Sequence, residues 1–124
     1  MEQKRILIVD DESGFTRLLK LTLEKTGKYV VREEKDGTLA QEVAREFGPD
    51  LILLDIVMPK IDGGDVAGRI KNDPLLKDVR IVFLTAIVSK NEAIPGGTIG
   101  GLPFLAKPIT LEGLIQCIEE NLAA

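Results

Sequence analysis

Five residues able to do polar chemistry each stand directly after an apolar stretch. Asp10 and Asp11 follow residues 5–9, Asp55 follows 51–54, Thr85 follows 79–84 and Lys107 follows 104–106. If the fold gathers them, three carboxylates face one another. At an effective dielectric of 20, each pair 4 Å apart costs roughly 4 kcal/mol. Lys107 offsets one negative charge. A hard divalent ion offsets two, and oxygen ligands along one wall suit Mg²⁺, which keeps several waters and takes one or two carboxylates plus phosphate oxygens. A carboxylate with Mg²⁺ on one side, an ammonium on the other and a hydroxyl nearby is equipped for phosphoryl transfer. That chemistry needs alignment and charge neutralisation more than covalent help.

The elements around these residues can gather them. Within residues 5–9, 51–54 and 79–84, the stretches 6–9, 51–54 and 81–84 are continuously apolar and rich in branched side chains, the pattern of strands buried on both faces. Residues 29–31 and 104–106 read as two further strands. Helical periodicity lies between. Phe15, Leu18, Leu19, Thr22 and Leu23 form one stripe, with Ser13 as its expected cap and Gly27 as its stop. Ala40, Val43, Ala44 and Phe47 form a second, and Val66, Ala67 and Ile70 a third within residues 64–72. Leu111, Leu114, Ile115, Ile118 and Leu122 form a last one, capped by Thr110. Strand and helix alternate without linker, repeat or low-complexity tract. This predicts an α/β domain with a parallel sheet and helices on both faces. Sites in such sheets lie at the carboxyl ends of the strands, where strand order reverses.

Composition narrows the options further. A chain of 124 residues is one domain in size, and 44% apolar residues can fill its core. Net charge is −4 with no basic stripe, so no nucleic-acid partner is expected. The apolar runs are too short to span a membrane, and residues 1–9 do not resemble a secretory signal, so a cytoplasmic location is expected. The single cysteine, Cys117, excludes an internal disulfide, and the absence of histidine excludes histidine-based triads and metal sites.

Taken in order, Ile8-Val9-Asp10-Asp11, residues 49–55 ending in Asp55, Met58-Pro59 with Asp62-Gly63, Leu84-Thr85-Ala86, and Phe104-Leu105-Ala106-Lys107-Pro108 resemble the receiver domain of bacterial two-component response regulators. The resemblance covers the whole chain, residues 1–124. It implies a flavodoxin-like, doubly wound sheet of five parallel strands in the order 2-1-3-4-5. It implies that Asp55 accepts the phosphoryl group and that Thr85 and Lys107 bind its oxygens. Mg²⁺ would be held by Asp10, Asp11, Asp55 and the Val57 carbonyl, with Asp10 acting partly through water. Phe104 would occupy the aromatic switch position, and the Lys107-Pro108 bond would be cis. The phosphoryl source would be a histidine kinase or phosphotransfer protein, and the output a change in partner binding rather than turnover of a separate substrate. No output domain follows residue 122 in the sequence, so the likeness is to the single-domain, chemotaxis-type regulators.

Each residue alone has an ordinary reading. Adjacent aspartates suit a helix N-terminus, and an aspartate after a strand suits a turn. It is the conjunction that points to a site. One rival is a receiver-like module that binds a partner without phosphorylation; the complete Asp10, Asp11, Asp55, Thr85, Lys107 set argues against it. Another is a phosphohydrolase of the haloacid dehalogenase type, but that type resembles a DxD motif, and Val57 stands where its second aspartate belongs. Val57 and Ile87 occupy the family positions that tune phosphate loss. Neither side chain can hydrogen-bond a water, so slow loss is expected.

Residues 88–103 depart most from the family. Four glycines and Pro95 in that stretch would cost a regular helix roughly 7 kcal/mol. The fourth helix of the family pattern is therefore expected to be short or irregular, followed by a glycine-rich loop. If phosphorylation at Asp55, felt through Thr85 and Phe104, orders or moves this loop to make a partner site, Ile94, Ile99 and Leu102 would be its apolar contacts.

Overall fold

The computed structural model describes residues 3–85, 98–99 and 101–123. The long strands are β1 (Lys4–Val9), β2 (Tyr29–Glu34), β3 (Leu51–Asp55), β4 (Arg80–Thr85) and β6 (Leu102–Ala106). They lie parallel in the spatial order β2-β1-β3-β4-β6. Counted among themselves, these five follow the order 2-1-3-4-5 of the flavodoxin-like fold. Between them run α1 (Ser13–Lys25), a 3₁₀ turn (Gly37–Leu39) leading into α2 (Ala40–Phe47), and α3 (Gly63–Lys71); α4 (Leu111–Ala123) closes the chain.

Alternation along the buried strands builds two cores. Leu7, Val9, Ile52, Leu54, Ile81 and Phe83 face α2 and α3. Ile6, Ile8, Leu51, Leu53, Val82 and Leu84 face α1 and α4. A strand apolar on both faces is stable only between two helical layers, and this sheet supplies both. Register is pinned at the amino-terminal edge, where the Arg5 N–H donates to Asp50 Oδ2 at 2.8 Å and the Asp50 N–H donates to the Arg5 carbonyl at 2.8 Å.

Three local expectations change. Ser13 is the first residue of α1 rather than its cap; Glu12 holds the cap position and makes no capping bond. Leu18 faces solvent, at 62% exposure, because α1 buries the narrow arc of Thr16, Leu19 and Leu23. Thr16 can be buried because its hydroxyl donates to Glu33 Oε1 at 2.8 Å. The expected loop also ends in structure. A short strand, β5 (Thr98–Ile99), pairs antiparallel with Leu102 and Pro103 of β6, and Gly101 turns the chain at φ 83°. Ile99 and Leu102 pack partly buried against the core. Ile87, Ile94 and the expected irregular helix lie outside the described residues.

Candidate functional site

The strands end level with one another. Val9 pairs with Leu54, Asp55 with Leu84, and Thr85 with Ala106. Backbone bonds continue the ladder one residue further, from Asp10 N–H to the Glu34 carbonyl, Ile56 N–H to Leu84, and Lys107 N–H to Thr85. Asp10, Asp55, Thr85 and Lys107 are thereby set along a single edge. That edge includes the point where β1 lies between β2 on one side and β3 on the other and the strand order reverses, the usual ligand crevice of a doubly wound sheet.

Asp10 is fully buried and Asp55 is 6% exposed, whereas Asp11 lies open to solvent. One oxygen from each of the three can be chosen so that all lie within 4.8 Å of one another. These are hard oxygen donors grouped on an open edge, with room for water on the Asp11 side. They fit a small divalent cation such as Mg²⁺. The side chain of Thr85 is buried beside them.

Lys107 is the cation of this cluster. Its Nζ donates to Asp10 Oδ2 at 2.9 Å and to Glu12 Oε1 at 3.0 Å, and lies 4.5 Å from the centroid of the Phe15 ring. Burial alone would pull the ammonium down, but the bonds to Asp10 and Glu12 outweigh it and hold it above its ordinary value. Asp10 also accepts from the Glu12 N–H at 2.9 Å, so it is satisfied on both oxygens. The bond between Lys107 and Pro108 is cis.

Asp55 has a different environment. Burial, then the Asp10 charge, push its carboxyl up to about 6, with a smaller contribution from Asp11. The Lys107 charge and the Val57 N–H, 3.4 Å from Oδ1, oppose this only in part. An Asp crowded in this way gains from any added positive charge. Val57 itself turns its side chain outward, 55% exposed.

The loop from Ile56 to Asp62 is drawn tightly over β3. The Gly63 N–H donates to the Ile56 carbonyl at 2.7 Å, and Asp62 caps α3 by accepting from the Asp65 N–H at 2.9 Å. A Cβ at Gly63 would fall onto the Asp55 carbonyl oxygen and 2.8 Å from the Ile56 Cα. Glycine is required here by close approach of backbone to backbone. Phe104 is half-buried opposite Phe83 and packs on the α2–α3 core.

Asp10, Asp11, Asp55, Thr85 and Lys107 thus converge. Three neighbours were not legible as site residues. Glu12 and Phe15 meet Lys107 only after the chain folds back across the sheet. Gly63 was visible as half of an Asp-Gly pair, without its contact.

Residues 6–119 match the family model described as the response regulator receiver domain. The chain is 36% identical over 111 residues to the DNA-binding dual master transcriptional regulator RpaA of Synechocystis, covering 90% of this chain and 46% of that protein. It is 33% identical over 118 residues to the chemotaxis protein CheY of Bacillus subtilis, covering 95% of this chain and 97% of that one. The chain therefore spans about half or less of several relatives, and nearly all of the Bacillus subtilis CheY. Among solved structures, the chemotaxis protein CheY4 of Vibrio cholerae superposes with a TM-score of 0.83 at 26% identity, covering 97% of this chain and 99% of that one.

Proposed function

We propose, since this chain belongs to the family of response regulator receiver domains, that it takes a phosphoryl group onto Asp55 and thereby switches its binding to a partner. Receiver domains are signalling domains, and the whole chain, residues 1–124, is read as one. The observation that carries the reading is the crowding of Asp55: a nearly buried carboxylate beside two others, with a lysine ammonium in the same cluster.

In this reading an Asp55 carboxylate oxygen attacks the phosphorus of a phosphohistidine on a kinase or phosphotransfer protein. A phosphorus–oxygen bond forms, the phosphorus–nitrogen bond breaks, and the departing imidazole nitrogen takes a proton from water. Burial keeps Asp55 lightly hydrated and nucleophilic. Lys107 and Thr85 then hold the phosphoryl oxygens, and Asp10 keeps Lys107 within reach. Mg²⁺, held by Asp11, Asp55 and the Val57 carbonyl with Asp10 nearby, would neutralise charge on the transferring group. The aspartyl phosphate is a mixed anhydride, so its energy is available to shift Phe104 and the β4–β6 side of the sheet.

Acetyl phosphate with Mg²⁺ tests this. One phosphoryl group per chain, accumulating and then decaying, is expected. Continuous turnover without accumulation would mark a hydrolase. No labelling at all would favour the phosphorylation-independent interaction module.

A further inference from the structure

Glu12 occupies the residue before α1, where a short polar side chain ordinarily accepts a bond from the first free N–H groups of the helix. Its carboxylate reaches the other way, to Lys107 Nζ at 3.0 Å, joining residues 95 positions apart. An ammonium has three donors. Here Asp10 takes one, Glu12 takes the second, and the Phe15 ring lies 4.5 Å from the nitrogen. All three groups belong to the α1 side of the site. Among the described residues, Lys107 makes no hydrogen bond to Asp55.

With two donors committed to carboxylates on the α1 side and the Phe15 ring flanking the nitrogen, a phosphoryl oxygen on Asp55 competes with these partners for Lys107. The two carboxylate partners differ in what they lose by release. Asp10 is fully buried, so water cannot take the place of the lysine there, and releasing it would leave that buried charge to a bound Mg²⁺ alone. The Glu12 side chain is 63% exposed, so water replaces the lysine at little cost.

We propose that Glu12 is a positioning residue that holds Lys107 on the α1 side before phosphorylation and is the partner Lys107 gives up when a phosphoryl group arrives on Asp55. This rests on the reading of Asp55 as phosphoacceptor. Glu12 then stabilises the unphosphorylated state by the strength of an exposed ion pair. Removing it favours the phosphorylated state by up to about fivefold.

The test compares wild type, Glu12→Gln and Glu12→Asp by calorimetric titration with beryllofluoride, a phosphoryl mimic, in Mg²⁺. Glu12→Gln should bind roughly two- to fivefold more tightly. Glu12→Asp keeps the charge but is one methylene too short to reach Nζ, so it should also bind more tightly than wild type. A purely structural role would move the melting temperature and leave these affinities unchanged. Wild-type affinity in Glu12→Gln overturns the proposal. So does a tighter Glu12→Gln beside an unchanged Glu12→Asp, since the effect would then come from charge at a distance. Wild type failing to bind beryllofluoride at all overturns the Asp55 reading itself, and the proposal with it.

Discussion

Asp55→Asn should make the metal-free protein more stable at neutral pH, although it removes the proposed phosphoacceptor. Asp55 has an ordinary carboxyl value of 3.8 when unfolded and about 6 when folded, raised chiefly by burial and then by Asp10. The folded state thus holds this proton more tightly than the unfolded state. As pH rises from about 4 through 6, ionising Asp55 costs the folded state progressively more, and above 6 the penalty is constant. A rise from 3.8 to about 6 corresponds to about 3 kcal/mol. The site is open beside the exposed Asp11, and solvent screening there brings the effect nearer about 2 kcal/mol. Asparagine keeps the shape without the charge and removes the penalty. Urea denaturation in chelator, followed by far-ultraviolet circular dichroism, should give Asp55→Asn a stability about 2 kcal/mol above wild type at pH 8. The gap should shrink below pH 6 and vanish near pH 4. Mg²⁺ should narrow it at pH 8 by stabilising wild type more than the variant. A variant no more stable than wild type at pH 8, or a gap independent of pH, would refute the account of Asp55 as a carboxylate held under electrostatic stress.

Further outcomes follow from neighbouring residues. Gly63→Ala drives a Cβ against the Asp55 backbone and should cost about 1–3 kcal/mol in thermal unfolding while impairing labelling; a neutral substitution would show that the loop can relax. Asp73 is buried and held at about 2 by Arg45 at 2.6 Å, Gln41 and the Leu75 N–H. Its low value supplies stability above about pH 4 that is lost as pH falls toward 2. Asp73→Asn should therefore melt lower than wild type at pH 7, the difference closing in acid, and parallel melting curves at both pH values would remove the ion pair from the account. Val57 points an apolar side chain outward beside Asp55, so Val57→Asn, alone or with Ile87→Glu, should shorten the phosphorylated lifetime by offering a water a hydrogen bond. An unchanged lifetime would place control of water access elsewhere.

Strand interiors were legible because residues 6–9 and 51–54 are apolar without interruption, which only a sheet covered on both faces accommodates. The strand-end aspartates, Thr85 and Lys107 followed, since parallel strands bring their carboxyl ends to one edge. What escaped notice depends on contacts between distant parts of the chain. Leu18 fits the apolar stripe of α1 yet faces water, while Thr16 is buried through its bond to Glu33 on β2. Asp73, within a helix-ending Asn-Asp-Pro, is a buried tie to Arg45 of α2. Glu12 reads as an ordinary charge near a helix start until Lys107 arrives beside it. The glycines after Pro95 suggested only an irregular loop, because the β5–β6 pairing is two residues long and too short to leave a pattern.

Intact-mass measurement after incubation with acetyl phosphate, run with Mg²⁺ and with excess chelator, on wild type and Asp55→Asn, tests the central claim most directly. Wild type should gain one phosphoryl group in Mg²⁺ and none in chelator, and a peptide map should place it on Asp55. Asp55→Asn should gain none while remaining folded. Undiminished labelling of Asp55→Asn would contradict the assignment of the acceptor, and undiminished labelling of wild type in chelator would contradict the role given to the metal.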